Sequence, residues 1–557
     1  MKNLFFLLAP ALLPAWAVAQ APAVVSRTPA RNAEAAPRTT AVGLTFSQPI
    51  GAASAGNLRV FGSQQGYRAG TLTGGGTAAL ALQPTRPFGP GEQVSVSVPA
   101  TMQGLGGTAV AKQVYQFTAA AGRATALFSG TTNVSTGLRA YDLAAADFNQ
   151  DGLADLAVVN GNAGTVSIRL NQGSGLAFAT PVDVPVGASP LSITPGDVDG
   201  DGDLDLLVAN QAANTVSVRR NDGTGTFSGS TDVAVGSTPY FVAVGDVDGD
   251  GDLDLLTVNF FDTTVSLNRN DGSGNFATAT TIAIPTRSSS LALGDVDNDG
   301  DLDLLVSNQS TAVVAVRRNN GNGIFAVGTS VAIAGGPIRV VLGDLNADGN
   351  LDLVTANGSG NTVSVRLGTG TGTFSGTLDV PTGGAPGSVG LADLDGDGAP
   401  DLYVTKPSAS TVGVYRNLGT GTFGPGLDIP VGGFAFQATA ADLNDDDALD
   451  LITANQLANT VSVRLNQAIL AVRASQTLAL EFYPNPAHDY LTLHLPSGTG
   501  PVVFTWLDAL GRTLSAQAAQ PAADGRLGLA VPGLAPGCYL LRVSSSAGVA
   551  TRRVLVE

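Results

Sequence analysis

Asp197-Val-Asp-Gly-Asp-Gly-Asp-Leu-Asp205 is the stretch from which this chain is read. Its pattern, D-x-D-x-D-G-x-x-D, places Asp197, Asp199, Asp201 and Asp205 on one nine-residue turn, with Gly202 where the chain bends. Glycine takes a positive φ without a Cβ penalty. Four carboxylates this close repel one another unless a cation sits among them, and a flexible all-oxygen loop suits Ca²⁺ better than Mg²⁺. The pattern occurs seven times, with first aspartates at Asp147, Asp197, Asp246, Asp295, Asp344, Asp393 and Asp442, spaced by 50 and then by 49 residues. A fixed period of this size signals a repeat architecture.

The seven loops are not identical. Besides the set just quoted, loops three, four and six carry Asp246/Asp248/Asp250/Asp254, Asp295/Asp297/Asp299/Asp303 and Asp393/Asp395/Asp397/Asp401. Loop one offers Asp147/Asn149/Asp151/Asp155, loop five Asp344/Asn346/Asp348/Asp352, and loop seven Asp442/Asn444/Asp446/Asp450. Asparagine keeps an oxygen ligand and removes a charge, so loops one and five are expected to bind more weakly. In loop seven Asp447 replaces the glycine, and aspartate tolerates left-handed backbone better than most residues. The expectation is up to seven Ca²⁺ ions in a structural role. Metal-free Asx turns are the alternative, at the cost of crowding up to four carboxylates per loop.

One unit shows the plan around the loop. Phe241-Val-Ala-Val-Gly245 enters it as a strand, and Leu253-Asp-Leu-Leu-Thr-Val258 leaves it as a nearly all-apolar strand buried on both faces. Thr264-Val-Ser-Leu-Asn-Arg269 alternates, Asn270-Asp-Gly-Ser-Gly274 is a hairpin turn, and Phe276 opens a fourth strand. Four strands per unit of this length is one propeller blade. A phenylalanine precedes each loop by 19 residues, from Phe128 to Phe423, yet none follows the third strand after loop seven. The first fourth-strand, about 126–135, thus lacks a blade, and the last blade lacks a fourth strand. Pairing them closes a ring and removes an exposed edge; an open solenoid is the alternative.

These repeats resemble the FG-GAP/VCBS family, whose propellers carry calcium loops of this type, as in integrin α-subunits. The resemblance spans 122–467 and implies an all-β fold, a seven-bladed β-propeller. Residues 22–121 contain strand-like runs such as Thr40–Phe46 and Val94–Val98 between Gly- and Pro-rich segments, as in a β-sandwich. Their opening Ser26-Arg-Thr-Pro-Ala-Arg-Asn32 and closing Tyr115-Gln-Phe-Thr118 resemble bacterial Ig-like domains, which implies a spacer or stalk. Residues 475–557 read as a small β-sandwich. Phe482-Tyr-Pro-Asn-Pro-Ala-His-Asp-Tyr-Leu491, Leu534–Val543 and Arg552–Val556 resemble the C-terminal sorting domain of the type IX secretion system. That resemblance implies the secretion machinery as a partner, removal of the tail, and release or attachment at the outer cell surface. Residues 1–19 read as a secretory signal: Lys2, an apolar run from Leu4 to Leu13, and Ala17-Val-Ala19 before Gln20. A membrane anchor is the alternative, but the run is short and broken by Pro10 and Pro14.

Composition narrows the function. Among 557 residues, 71 are glycine and only 13 % are charged, which suits a loop-rich all-β chain. Net charge is −17, and 30 of the 45 acidic residues lie in the seven loops, so the acidity marks the loops rather than a disordered tail. No basic stripe exists to neutralise phosphates, which argues against nucleic acid as a partner. No stretch after the first residues is long and apolar enough to span a bilayer. The single cysteine, Cys538, rules out an internal disulfide. His488 and His494, the only histidines, lie in the last unit, so the repeats hold no Ser-His, Cys-His or histidine-zinc arrangement.

Three functional readings remain: a binding or adhesion module for an extracellular glycan or protein, a polysaccharide lyase or glycosidase, and a passive structural surface protein. The first is preferred, with no catalytic residue assigned. Strands of a blade alternate in direction, so the loops share one face of the ring and the other connections share the opposite face. There Asn160, Asn210, Asn259, Asn308, Asn357 and Asn455 repeat, while Lys406 breaks the series. Arg139, Tyr240, Phe260, Phe261, Arg287, Arg339, Phe434 and Phe436 stand nearby. Aromatics and arginines are what binding hot spots favour, so these residues and Lys406 are the expected ligand contacts. Drift in unconstrained loops and burial against a neighbouring blade are the plain alternatives.

Overall fold

The computed structural model describes residues 20–469 apart from 174–175, and residues 480–557 apart from 496–500, 509–511, 523, 532 and 546–547. The signal expected at 1–19 and the first residues of the expected sorting unit lie outside the described residues. The chain divides into two units, 1–468 and 469–557.

The repeat folds as its pattern demands. In the unit around loop two, strands Pro190–Gly196, Asp205–Asn210, Thr215–Asn221 and Phe227–Ala234 pair antiparallel in chain order. Asp205–Asn210 is buried at every residue, which is why its sequence is almost wholly apolar. Phe227–Ala234 is mostly exposed and forms the outer edge. Gly196 lies opposite Asp205, so the acidic loop is the connection between the first two strands. Seven such four-stranded sheets follow one another. Leucines and valines of each sheet interlock with those of the next, as Val159, Val166 and Ile168 do with Leu204, Leu206 and Val208. Burying each such side chain contributes about 1.5–3 kcal/mol.

The ring closes. First strands touch the first strands of the neighbouring sheets, and the last, Ala435–Ala441, packs on the first, Ala140–Ala146. The last sheet takes its fourth strand from Ala124–Ser135, which pairs with Thr460–Ala468 so that Val134 faces Val461 and Phe128 faces Asn466. A side-chain clasp repeats the closure. Asn221 Nδ2 donates to the Phe148 carbonyl of the preceding sheet at 2.8 Å, and Asn270, Asn319, Asn417 and Asn466 do likewise. Asn171 reaches Leu443, joining the first sheet to the last at 2.9 Å.

Residues 24–118 form two further four-stranded sheets around Phe46, Phe88, Tyr115 and Phe117. This domain is not a free spacer, as its resemblance implied, but a lid on the loop face. Gln64 accepts from the Asp147 amide at 2.9 Å and the Tyr67 amide donates to Asp197 at 3.2 Å. Ser97 donates to Asp246 at 2.5 Å, and Arg31 pairs with Asp295 at 2.7 Å. Glu34 accepts from the Asp344 amide at 2.9 Å, and Arg38 pairs with Asp447. Loop six is held at the domain exit, where the Ala124 amide donates to Asp395 at 3.1 Å. The lid therefore bonds to loops one to five and seven, while the segment leaving it bonds to loop six.

The second unit contains a three-stranded sheet, Glu481–Tyr483, Tyr490–His494 and Arg526–Ala530, and a four-stranded sheet running to Val556. Their core includes Leu491, Leu493, Phe504, Trp506 and Val543.

Candidate functional site

Each loop is built by its own carboxylates. The first aspartate accepts amides of the turn: Asp197 takes Gly200 at 2.8 Å and Gly202 at 3.0 Å. The fourth is a brace. Asp205 accepts the Val198 amide at 3.2 Å and the Asn221 amide at 2.9 Å, tying the loop to the next hairpin. Burial, opposed by these amide bonds, pushes Asp205, Asp254 and Asp303 up to about 8 and Asp155, Asp352, Asp401 and Asp450 up to about 7. The bend needs positive φ: Gly202 stands at 100° and Asp447, its replacement in loop seven, at 68°.

The loops suit a hard dication. Oxygens of Asp197/Asp199/Asp205, Asp246/Asp248/Asp250, Asp295/Asp297/Asp299 and Asp393/Asp395/Asp401 lie within 4.8 Å of one another in each set. Buried oxygens of Asp147, Asp199, Asp248, Asp295, Asp297 and Asp395 have no hydrogen-bond partner among the described residues. A buried polar atom left so is costly, and a cation supplies the missing partner. In loops one, five and seven, Asn149, Asn346 and Asn444 instead donate to Asp151, Asp348 and Asp446 at 3.0, 3.0 and 3.1 Å.

In loops two, three, four and six, three of the four expected carboxylates meet this 4.8 Å mutual distance, and the four-carboxylate sets remain the expected ligands. In loops two and six burial, and then the charge of the third aspartate, Asp201 or Asp397, pushes Asp199 and Asp395 up, so the third carboxylate stands beside the second. Asp201 and Asp397 are exposed at the rim of the turn. Asp201 accepts the Asp203 amide and Asp397 the Ala399 amide, each at 2.9 Å. The fourth aspartates of loops three and four brace their loops as Asp205 does, Asp254 and Asp303 accepting the Asn270 and Asn319 amides at 3.0 and 2.8 Å.

A covariation inside the repeat accompanies the asparagine loops. Arg220, Arg269, Arg318 and Arg416 pair with Asp199, Asp248, Asp297 and Asp395 at 3.2, 3.0, 3.6 and 3.8 Å. Where the loop carries asparagine, the arginine position is Leu170, Leu367 or Leu465. At the four ligand positions, four aspartates with one arginine and three aspartates with none carry the same net charge, to which loops two, three and four add Asp203, Asp252 and Asp301. The arginine thus offsets part of the charge difference on which the weaker binding expected of loops one and five rests.

Strands Ala140–Ala146, Pro190–Gly196, Pro239–Gly245, Ser288–Gly294, Pro337–Gly343, Ser388–Ala392 and Ala435–Ala441 line a central channel. Its loop-face end is sealed by the lid through Asn32, Glu34, Gln93, Gln116 and Phe117, around a cavity of about 420 Å³. At the other end, six of these strands carry a bulge at their start, as between Pro239 and Phe241. Bulges re-aim side chains, and here Tyr141, Tyr240, Ile338 and Phe436 surround a vestibule of about 140 Å³. Asp142, Phe241, Arg339 and Gln437 line both spaces.

The expected ligand contacts separate into three groups. Phe261 is 64 % exposed, edge-on to Phe260, which stacks on Tyr240 with ring centroids 5.1 Å apart. Arg139, Arg287 and Phe434 hold left-handed backbone at the turn before the first strand, with φ of 61°, 60° and 60°. Phe436 meets Tyr141 edge-on at 5.4 Å. Arg339 points into the channel rather than to the outer face, its guanidinium 4.2 Å from the centre of the Phe241 ring. Lys406 is not a surface residue. It is buried, donates to the Thr382 carbonyl at 2.8 Å and pairs with Asp428. Its asparagine counterparts are buried too; Asn210 donates to Ser217, which donates to Asp232. Gly413 stands where Ser217 does, and the lysine stem fills the space its missing side chain leaves.

Asp142 and Phe241 escaped the sequence reading. They share one register, five residues before each loop, where Asp142, Phe241, Arg339 and Gln437 interrupt Ser192, Ser290 and Ser388 in a chain whose loops barely vary. That irregular column was the available signal.

Comparison with known proteins agrees with this architecture. FG-GAP-like repeats match at 147–208, 197–257, 262–306, 295–355, 344–404 and 395–453. A bacterial Ig-like domain matches 18–119 and a secretion-system C-terminal sorting domain 481–557. The sorting domain marks an exported chain, secreted or attached at the surface, and among the described residues no helix is long and apolar enough to cross a membrane. No curated protein matches. Among solved structures, an Agrocybe aegerita lectin recognising non-reducing terminal N-acetylglucosamine is 23 % identical over 58 % of this chain and 86 % of its own, with a TM-score of 0.41. A periplasmic gluconolactonase of Pseudomonas aeruginosa is 16 % identical over 69 % of this chain and 99 % of its own, at 0.43. An auxiliary nutrient binding protein of Bacteroides ovatus is 11 % identical over 81 % and 99 %, at 0.34. With the repeat matched over more than half of its length, the chain belongs to the FG-GAP-like repeat family.

Proposed function

We propose that the chain is an exported binding module, stabilised by up to seven Ca²⁺ ions, that takes an extracellular glycan or protein on the face away from its metal loops. The observation that carries this reading is the lid. It occupies the loop face through contacts such as Arg31–Asp295 and Ser97–Asp246, leaving a partner the opposite face. That face presents the Tyr240–Phe260–Phe261 aromatic cluster, whose outermost ring is exposed and without a turn-forming role. The unpartnered loop oxygens support the cation, and their hard-oxygen donor set supports Ca²⁺. At ten times Kd each bound ion adds about 1.4 kcal/mol to stability.

The test is binding of the purified chain to immobilised cell-surface and matrix ligands. Phe260→Ala with Phe261→Ala should weaken binding at least tenfold and leave calcium-dependent melting unchanged. Binding that survives this pair would contradict the assigned face.

A further inference from the structure

We propose that the vestibule and the belt beneath it form a binding site for a carboxylate-bearing sugar at the end of a glycan chain, with Arg339 holding the carboxylate. The inference rests on the docking face proposed above and deepens it to a site and a ligand class.

Three observations converge on it. First, among the described residues Arg339 has no carboxylate within 4 Å, Asp142 acting on it as a counter-charge at longer range, and its buried Nε, in the channel, has no hydrogen-bond partner. It is stacked on Phe241, which holds the planar fork in place for an incoming anion. A guanidinium matches a carboxylate with two parallel hydrogen bonds. Second, the belt offers an oriented acceptor. Asp142 accepts the Leu143 amide at 2.9 Å and the Ile193 amide at 3.1 Å, so its carboxylate is fixed. It accepts from sugar hydroxyls, and it disfavours a doubly charged phosphate at a site with one arginine. Third, the rim is aromatic. Tyr141, Tyr240 and Phe436 stand on bulged strand starts around the opening, where ring faces pack on the C–H face of a pyranose. The lid closes the far end, so a ligand enters from one side only and presents its terminus. The two spaces, about 140 and 420 Å³, together reach the range of roughly 300–1,000 Å³ usual for small-ligand sites.

The test is calorimetry on the full chain in millimolar Ca²⁺, with trigalacturonate and sialyllactose as probes. The controls are their carboxyl-reduced forms, a sulfated disaccharide and a short peptide with a free C-terminus. At least one acidic saccharide should bind, and carboxyl reduction should weaken it at least tenfold. Arg339→Gln should do the same without lowering the melting temperature. If that variant is unstable, Tyr240→Ala at the rim serves instead, with the same expected loss. The proposal is overturned if neither acidic saccharide binds, if carboxyl reduction changes nothing, or if the sulfated sugar or peptide binds more tightly. Binding that persists in Arg339→Gln, or in Tyr240→Ala where that variant is used, also overturns it. Calcium bridging at the loop face would give that persistence together with loss in EGTA. Matrix binding lost with the Phe260/Phe261 pair but kept in Arg339→Gln overturns the channel site alone. Matrix binding kept in both overturns the docking face as well.

Discussion

Arg220 sets the charge felt by a cation in loop two. It lies 3.2 Å from Asp199, is 42 % exposed, and has Leu170, Leu367 and Leu465 as counterparts beside the asparagine loops. Opposite charges at such a distance interact by about 1 kcal/mol in water and about 4 at an effective dielectric of 20, and exposure places this pair near the lower figure. Arg220→Leu should therefore lower the melting temperature in EGTA, where it leaves repelling carboxylates, and enlarge the rise that Ca²⁺ produces. Paired melts in EGTA and Ca²⁺ check this; an unchanged or smaller rise would separate the arginine from the metal site.

At the scale of the element, every sheet needs a polar tie where its second strand ends under the open face. Most use asparagine and serine, as Asn210 and Ser217 do, whereas the sixth uses Lys406 with Gly413. The lysine is thus repeat architecture written in other residues. Lys406→Asn alone should destabilise by about 2 kcal/mol or more, because a buried amide then faces a void with no partner. Lys406→Asn with Gly413→Ser should recover most of that loss. A double-mutant cycle in urea measures the coupling; additive effects would show that the two positions do not compensate.

The first unit is a ring whose acidic face is covered by its own first domain. Without cations, burial raises the bracing aspartates, Asp205 to about 8 and Asp155 to about 7, above the ordinary value of 3.8. Between about pH 4 and pH 8 the folded form then holds protons the unfolded chain has released, so its stability falls as pH rises. Ca²⁺ requires the deprotonated loops and opposes that fall. The difference in melting temperature between Ca²⁺ and EGTA should widen from pH 5 to pH 8; a constant difference would contradict a metal role for these carboxylates. Export makes a second statement at this scale. The sorting domain matched at 481–557 is proposed to be cut away on arrival, so intact-mass measurement of the surface or culture fraction should find a chain ending near residue 475. A full-length C-terminus there would contradict it.

Much of this was legible because a repeat multiplies weak signals. One D-x-D-x-D-G-x-x-D turn is ambiguous, but seven in register, with the misplaced strand at 126–135, pointed to a closed ring over an open solenoid, and Ala124–Ser135 closes it. Local periodicity alone determined strand order and the place of the acidic loops. Burial and distance between blades belong to the tertiary structure. Only there did Lys406 turn inward, Arg339 enter the channel, and the first domain become a lid. Side-chain direction at a bulge, and which surface covers which, depend on contacts between residues hundreds of positions apart, as between Arg31 and Asp295. No local pattern encodes such contacts.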